Sequence, residues 1–316
     1  MGAGGYKQIN KALNVCAFED YLQTQQAQLP KLDNVQQLSP RVIRILGQNP
    51  GKFTLQGTNT YIVGTGKKRL IIDTGQGYRE WADLVQGTLN ESAIGLSQIM
   101  LTHWHGDHTG GVPDLVRMYP DLADCVFKNC PTEGQRPIAD GDRFSVEGAM
   151  IRAVHGRGHS HDHVCFVLEQ ENAMFTGDNV LGNGTTAVEH LGLYMQTLEK
   201  LKAQGCILGY PAHGDVIPDL GVRIAGELAS KIRREEKCLT VLSKLKRDNG
   251  GTGQIASPTV KELVVAMHGD KLDEDMREKA LEPLVGEVLR KLAEDGKVAF
   301  HARGGVKRWF LVGDDR

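Results

Sequence analysis

The sequence predicts an α+β fold: two stacked β-sheets with helices outside, followed by a smaller helical module. Three observations carry that expectation. Short apolar strands come in two batches, each followed by helix-periodic segments, which is the pattern of a layered sandwich. A loop rich in potential metal ligands, Thr102-His103-Trp104-His105-Gly106-Asp107-His108-Thr109-Gly110-Gly111, follows one of these strands. From Pro218 onward the chain turns charged and helical.

The chain has 316 residues. That length suits one large domain, or one of about 200 residues with a small partner. Hydrophobic residues make up 40% and charged residues 24%, as in a soluble chain with an ample core. A net charge of -2 offers no bulk attraction to nucleic acid or an acidic membrane, so neither is an expected partner. No apolar run approaches the ~20 residues of a membrane-spanning helix. The opening MGAGGYKQINKAL lacks the apolar core of a secretory signal and the Ser or Thr of a myristoylation site. Cysteines 16, 125, 130, 165, 206 and 238 are scattered, which predicts free thiols and a cytoplasmic location.

Residues 1–40 are polar, with Gln-rich patches, and are expected to form an N-terminal arm with a short helix. Residues 41–218 carry the sandwich. Arg41–Leu46, Asn59–Val63 and Arg69–Asp73 read as strands, the last two joined by a turn at Gly64-Thr65-Gly66. Asp73 either caps a turn or accepts backbone N–H bonds from a neighbouring loop. Trp81, Leu84, Val85 and Leu89 recur at helical spacing. Gln98–Thr102 is a buried strand leading into the ligand loop, and a helix then ends at Tyr119-Pro120. Asp124–Lys128, Arg143–Val146 and Met150–Val154 are strands. Val164–Leu168 and Ala173–Thr176 form a hairpin around Gln170-Glu171-Asn172. Tyr194, Leu198 and Leu201 mark a helix closed by Gly205, and Cys206–Tyr210 is a final strand.

Residues 219–316 read as a helical linker and a small C-terminal domain. A long charged helix runs to about Asp248 and stops at Asn249-Gly250-Gly251. Ser257-Pro258 starts a second helix, with Ser257 as its N-cap. A third helix precedes Glu282-Pro283, and another runs from there to Glu294. Val298–Arg303 and Val306–Val312 form a hairpin across Gly304-Gly305. This is the order of a winged-helix module. The segment Leu284–Glu294, where a recognition helix would lie, has mixed charge and no basic stripe.

In the ligand loop, His103 and His105 alternate at strand spacing and can face one point together. Asp107 and His108 follow the turn and can face a second. Imidazole and carboxylate without thiolate suit zinc, with manganese or iron as alternatives. Two ions need further ligands, and three more positions lie just past apolar strands: His159, Asp178 and His213. The expected arrangement places one ion on His103, His105 and His159, another on Asp107, His108 and His213, and Asp178 between them. Ions so held acidify water and polarise a carbonyl. Asp107 is in addition the candidate proton acceptor. His155, His161, His163 and His190 read as supporting or exposed residues rather than ligands. His268 and His301 are assigned no chemistry.

These residues resemble the metallo-β-lactamase superfamily. The likeness rests on THWHGDHTGG, Gly158-His159, Gly177-Asp178 and Ala212-His213-Gly214, and covers about residues 40–218. It implies an αββα sandwich with a dinuclear zinc site. Asn49–Gly66, Ile71–Gly75 and Thr176–Leu198 are similar to the β-lactamase-like-protein-2 branch, which implies a winged-helix-like C-terminal domain. The opening MGAGGYKQINKALNVCAFEDYL looks like the fungal atrochrysone carboxyl ACP thioesterases. That family implies hydrolysis of a polyketide thioester on the acyl-carrier protein of a non-reducing polyketide synthase, with release of atrochrysone carboxylic acid. Animal members of the same branch imply the alternative, a zinc-dependent endoribonuclease acting on single-stranded RNA. One departure is visible: the superfamily's Thr-Pro-Gly-His turn is Gly156-Arg157-Gly158-His159 here. Arg157 then faces either solvent or an anion such as the phosphopantetheine phosphate.

Overall fold

The computed structural model describes residues 29–249, 257–271 and 273–313. The short helix expected near the N-terminus, Cys16, and the Gly250-Gly251 helix stop lie outside the described residues. Strands β1 (Val35–Ser39), β2 (Val42–Leu46), β3 (Asn59–Val63) and β4 (Lys68–Ile72) pair antiparallel in sequence order. Strands β5 (Gly95–Met100), β6 (Val126–Lys128) and β7 (Arg136–Pro137) extend the same sheet in parallel. A parallel step needs a crossover, which helix α1 (Arg79–Glu91) supplies between β4 and β5.

The second sheet contains β8 (Arg143–Val146), β9 (Ala149–His155), β10 (Val164–Leu168), β11 (Ala173–Gly177) and β12 (Leu208–Pro211). Its order is β12-β11-β10-β9-β8. Strands β9 and β11 both run antiparallel to β10, and β12 runs parallel to β11. The C-terminal ends of β9, β11 and β12 therefore share one edge, and so do those of parallel β4 and β5.

Side-chain alternation builds the layers. In β3, Tyr61 and Val63 face the second sheet while Ile62 faces outward; in β10, Val164, Phe166 and Leu168 face inward while Cys165 and Val167 face outward. Both faces are covered, which is why these strands read as unbroken apolar runs. Between the sheets, Tyr61, Phe175 and Tyr210 cluster with ring centroids 5.0–5.7 Å apart. Burial of each such side chain contributes roughly 1.5–3 kcal/mol. Trp81, Ala82, Val85 and Leu89 of α1 cover the outer face of the first sheet, and Trp81 Nε1 donates to Thr60 Oγ1 at 2.9 Å. The outer face of the second sheet is covered by a later helix, Leu191–Lys202, through Leu191, Tyr194, Leu198 and Leu201. Helix α4 spans Leu191–Lys202; the short α2 (Gly106–Thr109) and α3 (Val112–Met118) precede it.

The C-terminal elements are α5 (Leu220–Asn249), α6 (Val260–His268), α7 (Glu274–Met276), α8 (Glu282–Glu294) and the hairpin β13 (Val298–Arg303) to β14 (Val306–Leu311). Leu263, Val264, Val285, Val288, Leu289, Leu292 and Trp309 join α4, α5 and the second sheet in one continuous apolar cluster. The buried stripe of α5 also contains Lys231 and Glu235. Glu235 pairs with Lys291 of α8 at 2.8 Å, and Lys231 donates to Thr185 at 3.1 Å.

Several local expectations need correction. Val35–Ser39, expected as part of the N-terminal arm, is an edge strand; among the described residues its polar VQQLS sequence pairs with β2 alone and so lacks an apolar run. The N-cap of α6 is Thr259, not Ser257: Thr259 and Glu262 form a reciprocal capping box. Pro258 disfavours helical geometry at Ser257, and the carbonyls of both residues accept from β14, from Arg308 and Trp309. Two helices separated at Pro283 are not found. Instead α7 continues into α8 through a π turn at Arg277–Leu281. Pro283 lacks an N–H and its ring crowds the preceding turn, and the chain widens just before it.

Candidate metal centre

The ligand loop leaves β5 at Thr102, whose N–H and Oγ1 both donate to the Asp73 carboxylate, at 2.8 and 2.8 Å. Asp73 sits at φ 58° just past β4, a conformation Asp tolerates. The Thr74 N–H and hydroxyl both donate to the His108 carbonyl at 2.8 Å. Gly111 permits this closeness, because a Cβ there would lie 2.1 Å from the Thr74 carbonyl oxygen. The two βα turns thus hold each other, and the rigid edge presents His103, His105, Asp107 and His108.

The structure brings all seven expected side chains together in two adjoining groups, His103, His105, His159 and Asp178, and Asp107, His108 and His213, all buried. In the first, His103 Nε2, His105 Nδ1 and His159 Nε2 lie 2.8, 3.2 and 3.3 Å apart. In the second, Asp107 Oδ2 is 3.2 Å from His108 Nε2 and 3.3 Å from His213 Nε2. Asp178 faces both: Oδ1 is 3.1 Å from His213 Nε2, and Oδ2 is 3.5 Å from His159 Nε2. A tetrahedral ion about 2.1 Å from each ligand atom separates those atoms by about 3.4 Å, so the spacing fits a metal ion in each group. His108 Nε2 and Asp178 Oδ1 are buried and make no well-aligned hydrogen bond, although Asp107 Oδ2 and His213 Nε2 lie 3.2 and 3.1 Å from them, as expected of atoms aimed at a common centre rather than at each other.

Electrostatics separate the two groups. Burial holds the His103 imidazole well below its ordinary value and pushes His105 down to about 3, so both are neutral donors of lone pairs. In the second group burial is outweighed by charge. His108 and His213 hold the Asp107 carboxyl well below the usual range. Asp178 and Asp107 push His213 up to about 9 and raise His108 as well.

Other residues set the ligands in place. His108 Nδ1 lies 2.8 Å from Asp73 Oδ2, and His159 Nδ1 lies 2.8 Å from the Ala187 carbonyl. Thr58 Oγ1 donates to Asp107 Oδ2 at 3.2 Å and is itself fixed by Asn49. Asn59 holds the turn that presents His213, through Nδ2 to the Pro211 and Gly214 carbonyls, both at 2.8 Å. His163 is buried, lies flat against His103 at 4.9 Å, and accepts the Asp178 N–H at 3.0 Å. Asp162 forms a buried ion pair with Lys128 and accepts from Ser160, tying down the loop before it. Sequence reasoning missed Asn49, Thr58 and Asn59. Their common position in the Asn49–Gly66 segment was the one available signal.

The Gly156-Arg157-Gly158-His159 turn, lacking Pro, is held by side chains: Asn179 Nδ2 donates to the Gly156 carbonyl and Thr197 Oγ1 to that of Arg157. Arg157 itself is exposed. His155 bonds the Ile138 carbonyl, His161 is exposed near Trp104, and His190 caps α4, so none of them enters either group.

A sequence profile of the metallo-beta-lactamase superfamily matches residues 53–122 and 131–213. The atrochrysone carboxyl ACP thioesterase AacuM of Aspergillus aculeatus is 69% identical over 312 residues, covering 99% of this chain and 100% of that protein. A protein of the same name class from Paecilomyces divaricatus is 66% identical over 99% of this chain and 98% of its own. The lactamase-like protein ptaB of Pestalotiopsis fici is 63% identical, with 99% of each chain covered. Among solved structures, a beta-lactamase domain protein from Burkholderia ambifaria superposes with a TM-score of 0.66 at 20% identity, over 90% of this chain and 95% of its own. A metallo-beta-lactamase family protein from Thermus thermophilus gives 0.61 at 20% identity, over 87% and 100%. Fold, profile and full-length relatives agree: the chain belongs to the metallo-beta-lactamase superfamily, and within it to the family that these fungal relatives make up.

Proposed function

We propose that the protein is a metal-dependent thioesterase. It hydrolyses a polyketidyl thioester on the acyl-carrier protein of a non-reducing polyketide synthase and releases atrochrysone carboxylic acid. The observation that carries this reading is the full-length match to fungal proteins of that name, combined with two buried ligand groups spaced for metal ions. His103, His105 and His159 would hold one Zn2+, Asp107, His108 and His213 the other, and Asp178 would serve both; Mn2+ or Fe suits the same donors. Such ions acidify water and polarise the thioester carbonyl.

The chain's own part follows from geometry. Asp107 faces the site as a carboxylate beside His108 and His213, and is the proposed acceptor of a proton from the attacking water. The water's oxygen adds to the carbonyl carbon, the C–S bond breaks, and the thiolate leaves with little need of protonation. Thr58 keeps the Asp107 carboxylate aimed into the site.

The reading extends to the rest of the chain. Residues 41–218 act as the catalytic domain. Residues 219–316 act as a helical linker, α5, and a winged-helix-like domain, which a helix α6, a continuous helix α7–α8 and a closing hairpin support in part. The free thiols Cys125, Cys130, Cys165, Cys206 and Cys238 support a cytoplasmic location. No helix among the described residues is long and apolar enough to cross a membrane.

The test is reconstitution with a non-reducing polyketide synthase that lacks a release domain, fed malonyl-CoA, with and without chelator. Chelator-sensitive release of an aromatic carboxylic acid is expected. No release by fully metallated protein from a loaded synthase would overturn the reading, and cleavage of single-stranded RNA by the same sample would replace it.

A further inference from the structure

We propose that Arg290 and Glu287 of α8 are positioning residues for His159, acting through the segment Thr186–Leu191. This inference rests on the metal-site reading above. His159 approaches the first group through Nε2, and its Nδ1 lies 2.8 Å from the Ala187 carbonyl. A carbonyl only accepts, so Nδ1 carries the single proton of the neutral ring and Nε2 keeps its lone pair. The Ala187 carbonyl therefore selects both the tautomer and the angle of a ligand.

What holds Ala187 there is a short chain of contacts that ends on α8. The N–H groups of Glu189 and His190 both donate to the Gly158 carbonyl, at 2.8 and 3.0 Å, so the segment is stitched to the residue before His159. On its other side, Arg290 Nη2 donates to the Glu189 carbonyl at 2.8 Å. Glu287 Oε1 accepts the Leu191 N–H at 2.9 Å, supplying from another helix an acceptor that the first turn of α4 lacks. Arg290 and Glu287 bond each other at 2.6 Å, and His190 Nε2 lies 3.3 Å from Glu294 Oε1. The result is a two-point clip: one contact on a carbonyl and one on an N–H, two residues apart. The upstream part of the loop is held separately, by Lys231 and Glu227 on Thr185 Oγ1 at 3.1 and 3.0 Å. The second ligand group has no such link to α8: His108 is oriented by Asp73 and the His213 turn by Asn59. Loss of the clip should then weaken one group and spare the other.

Cobalt(II) is the probe, because its visible absorption reports the ligand field of each ion. Metal-free wild-type, Arg290→Ala, Glu287→Ala and Arg290→Lys proteins are titrated with Co2+ against a competing chelator, and thermal unfolding of each is followed in parallel. Arg290→Ala and Glu287→Ala are expected to bind cobalt about tenfold more weakly at the His103/His105/His159 group, with an altered spectrum there. Affinity at the Asp107/His108/His213 group, compared at equal occupancy of the first group, and the metal-free unfolding midpoint should be unchanged. Arg290→Lys should restore most of the loss, since an ammonium can still donate to the Glu189 carbonyl. Wild-type affinity and spectrum in both Arg290→Ala and Glu287→Ala would overturn the clip while leaving the metal sites standing. Equal weakening of both groups with a lowered midpoint would overturn it as well, as a general loss of packing. A wild-type protein that takes up no cobalt would overturn this inference together with the reading beneath it.

Discussion

Asp73 Oδ2 lies 2.8 Å from His108 Nδ1, so a carboxylate just beyond one strand orients an imidazole on the loop after the next. Replacing it by Asn keeps the size and tolerates φ 58°. The amide would then donate toward Nδ1 and drive the proton of the ring to Nε2, the atom that faces Asp107. Asp73→Asn is expected to fold normally and to weaken metal binding at the second group by about 10–100-fold. Metal competition titration measures this, and unchanged affinity would show that Thr102 and the backbone suffice to orient the ring.

Asp107 is proposed both to hold an ion and to accept a proton. Asp107→Ala, and His108→Ala beside it, should lower thioester hydrolysis by about 100-fold or more. Far-ultraviolet circular dichroism should stay as in the parent, because both side chains lie in the site rather than in an apolar cluster. Undiminished turnover in metal-replete Asp107→Ala would remove it from the chemistry.

Acidity should separate the two groups. In the metal-free protein His213 is raised from 6.5 to about 9, chiefly by Asp178 working against burial. Its paired, charged form stabilises that state fully below about 6.5 and is lost as pH rises through about 9. A cation at the second group must displace this proton, so uptake there should release protons at pH 7 and tighten as pH rises. Burial puts His105 down at about 3 and holds His103 low as well, so neither of these should release a proton at pH 7. Calorimetry in buffers of differing ionisation enthalpy reads both, and equal proton release from the two groups would contradict the assignment.

Gly158 occupies φ +127°, and a Cβ there would lie 2.4 Å from the backbone of Tyr194. The contact is with backbone at the start of α4, which cannot swing aside. Gly158→Ala should cost about 2 kcal/mol or more of stability. Urea unfolding measures it, and an unshifted midpoint would mean the turn before His159 has room that its geometry denies.

A chain ending at Asn249 should not yield a trimmed, active sandwich. Leu263, Val264, Leu289 and Leu292 pack in the same cluster as Leu198, Leu228 and Val167. Removing them exposes the covered side of α4 and α5. Such a protein is expected to aggregate or to unfold without cooperativity in thermal scans, and a soluble, cooperative product would show that the sandwich stands alone.

Much of this architecture could be read from local pattern. Asn59–Val63, Arg143–Val146 and Val164–Leu168 match the observed strands residue for residue, since each run is bounded by turn residues. The two ligand groups were visible because each member follows an apolar strand at one edge. Val35–Ser39 escaped notice because an edge strand is specified by its partner, here β2, more than by its own hydrophobicity. Thr58 and Asn59 escaped because their bonds reach Asp107, Pro211 and Gly214, far along the chain. The π turn before Pro283 reflects a compromise between a proline and a helix held by packing, which no periodicity records.

Asp178 offers one oxygen to each ligand group. A single carboxylate cannot answer to two occupants independently. Filling either group fixes its torsion and draws on its one negative charge, so the affinity of each group depends on whether the other is full. Thermodynamic linkage makes that dependence equal in both directions. On the proposed two-ion reading the centre would be a coupled pair with its own cooperativity, and a half-loaded protein would be a distinct species rather than half of a loaded one.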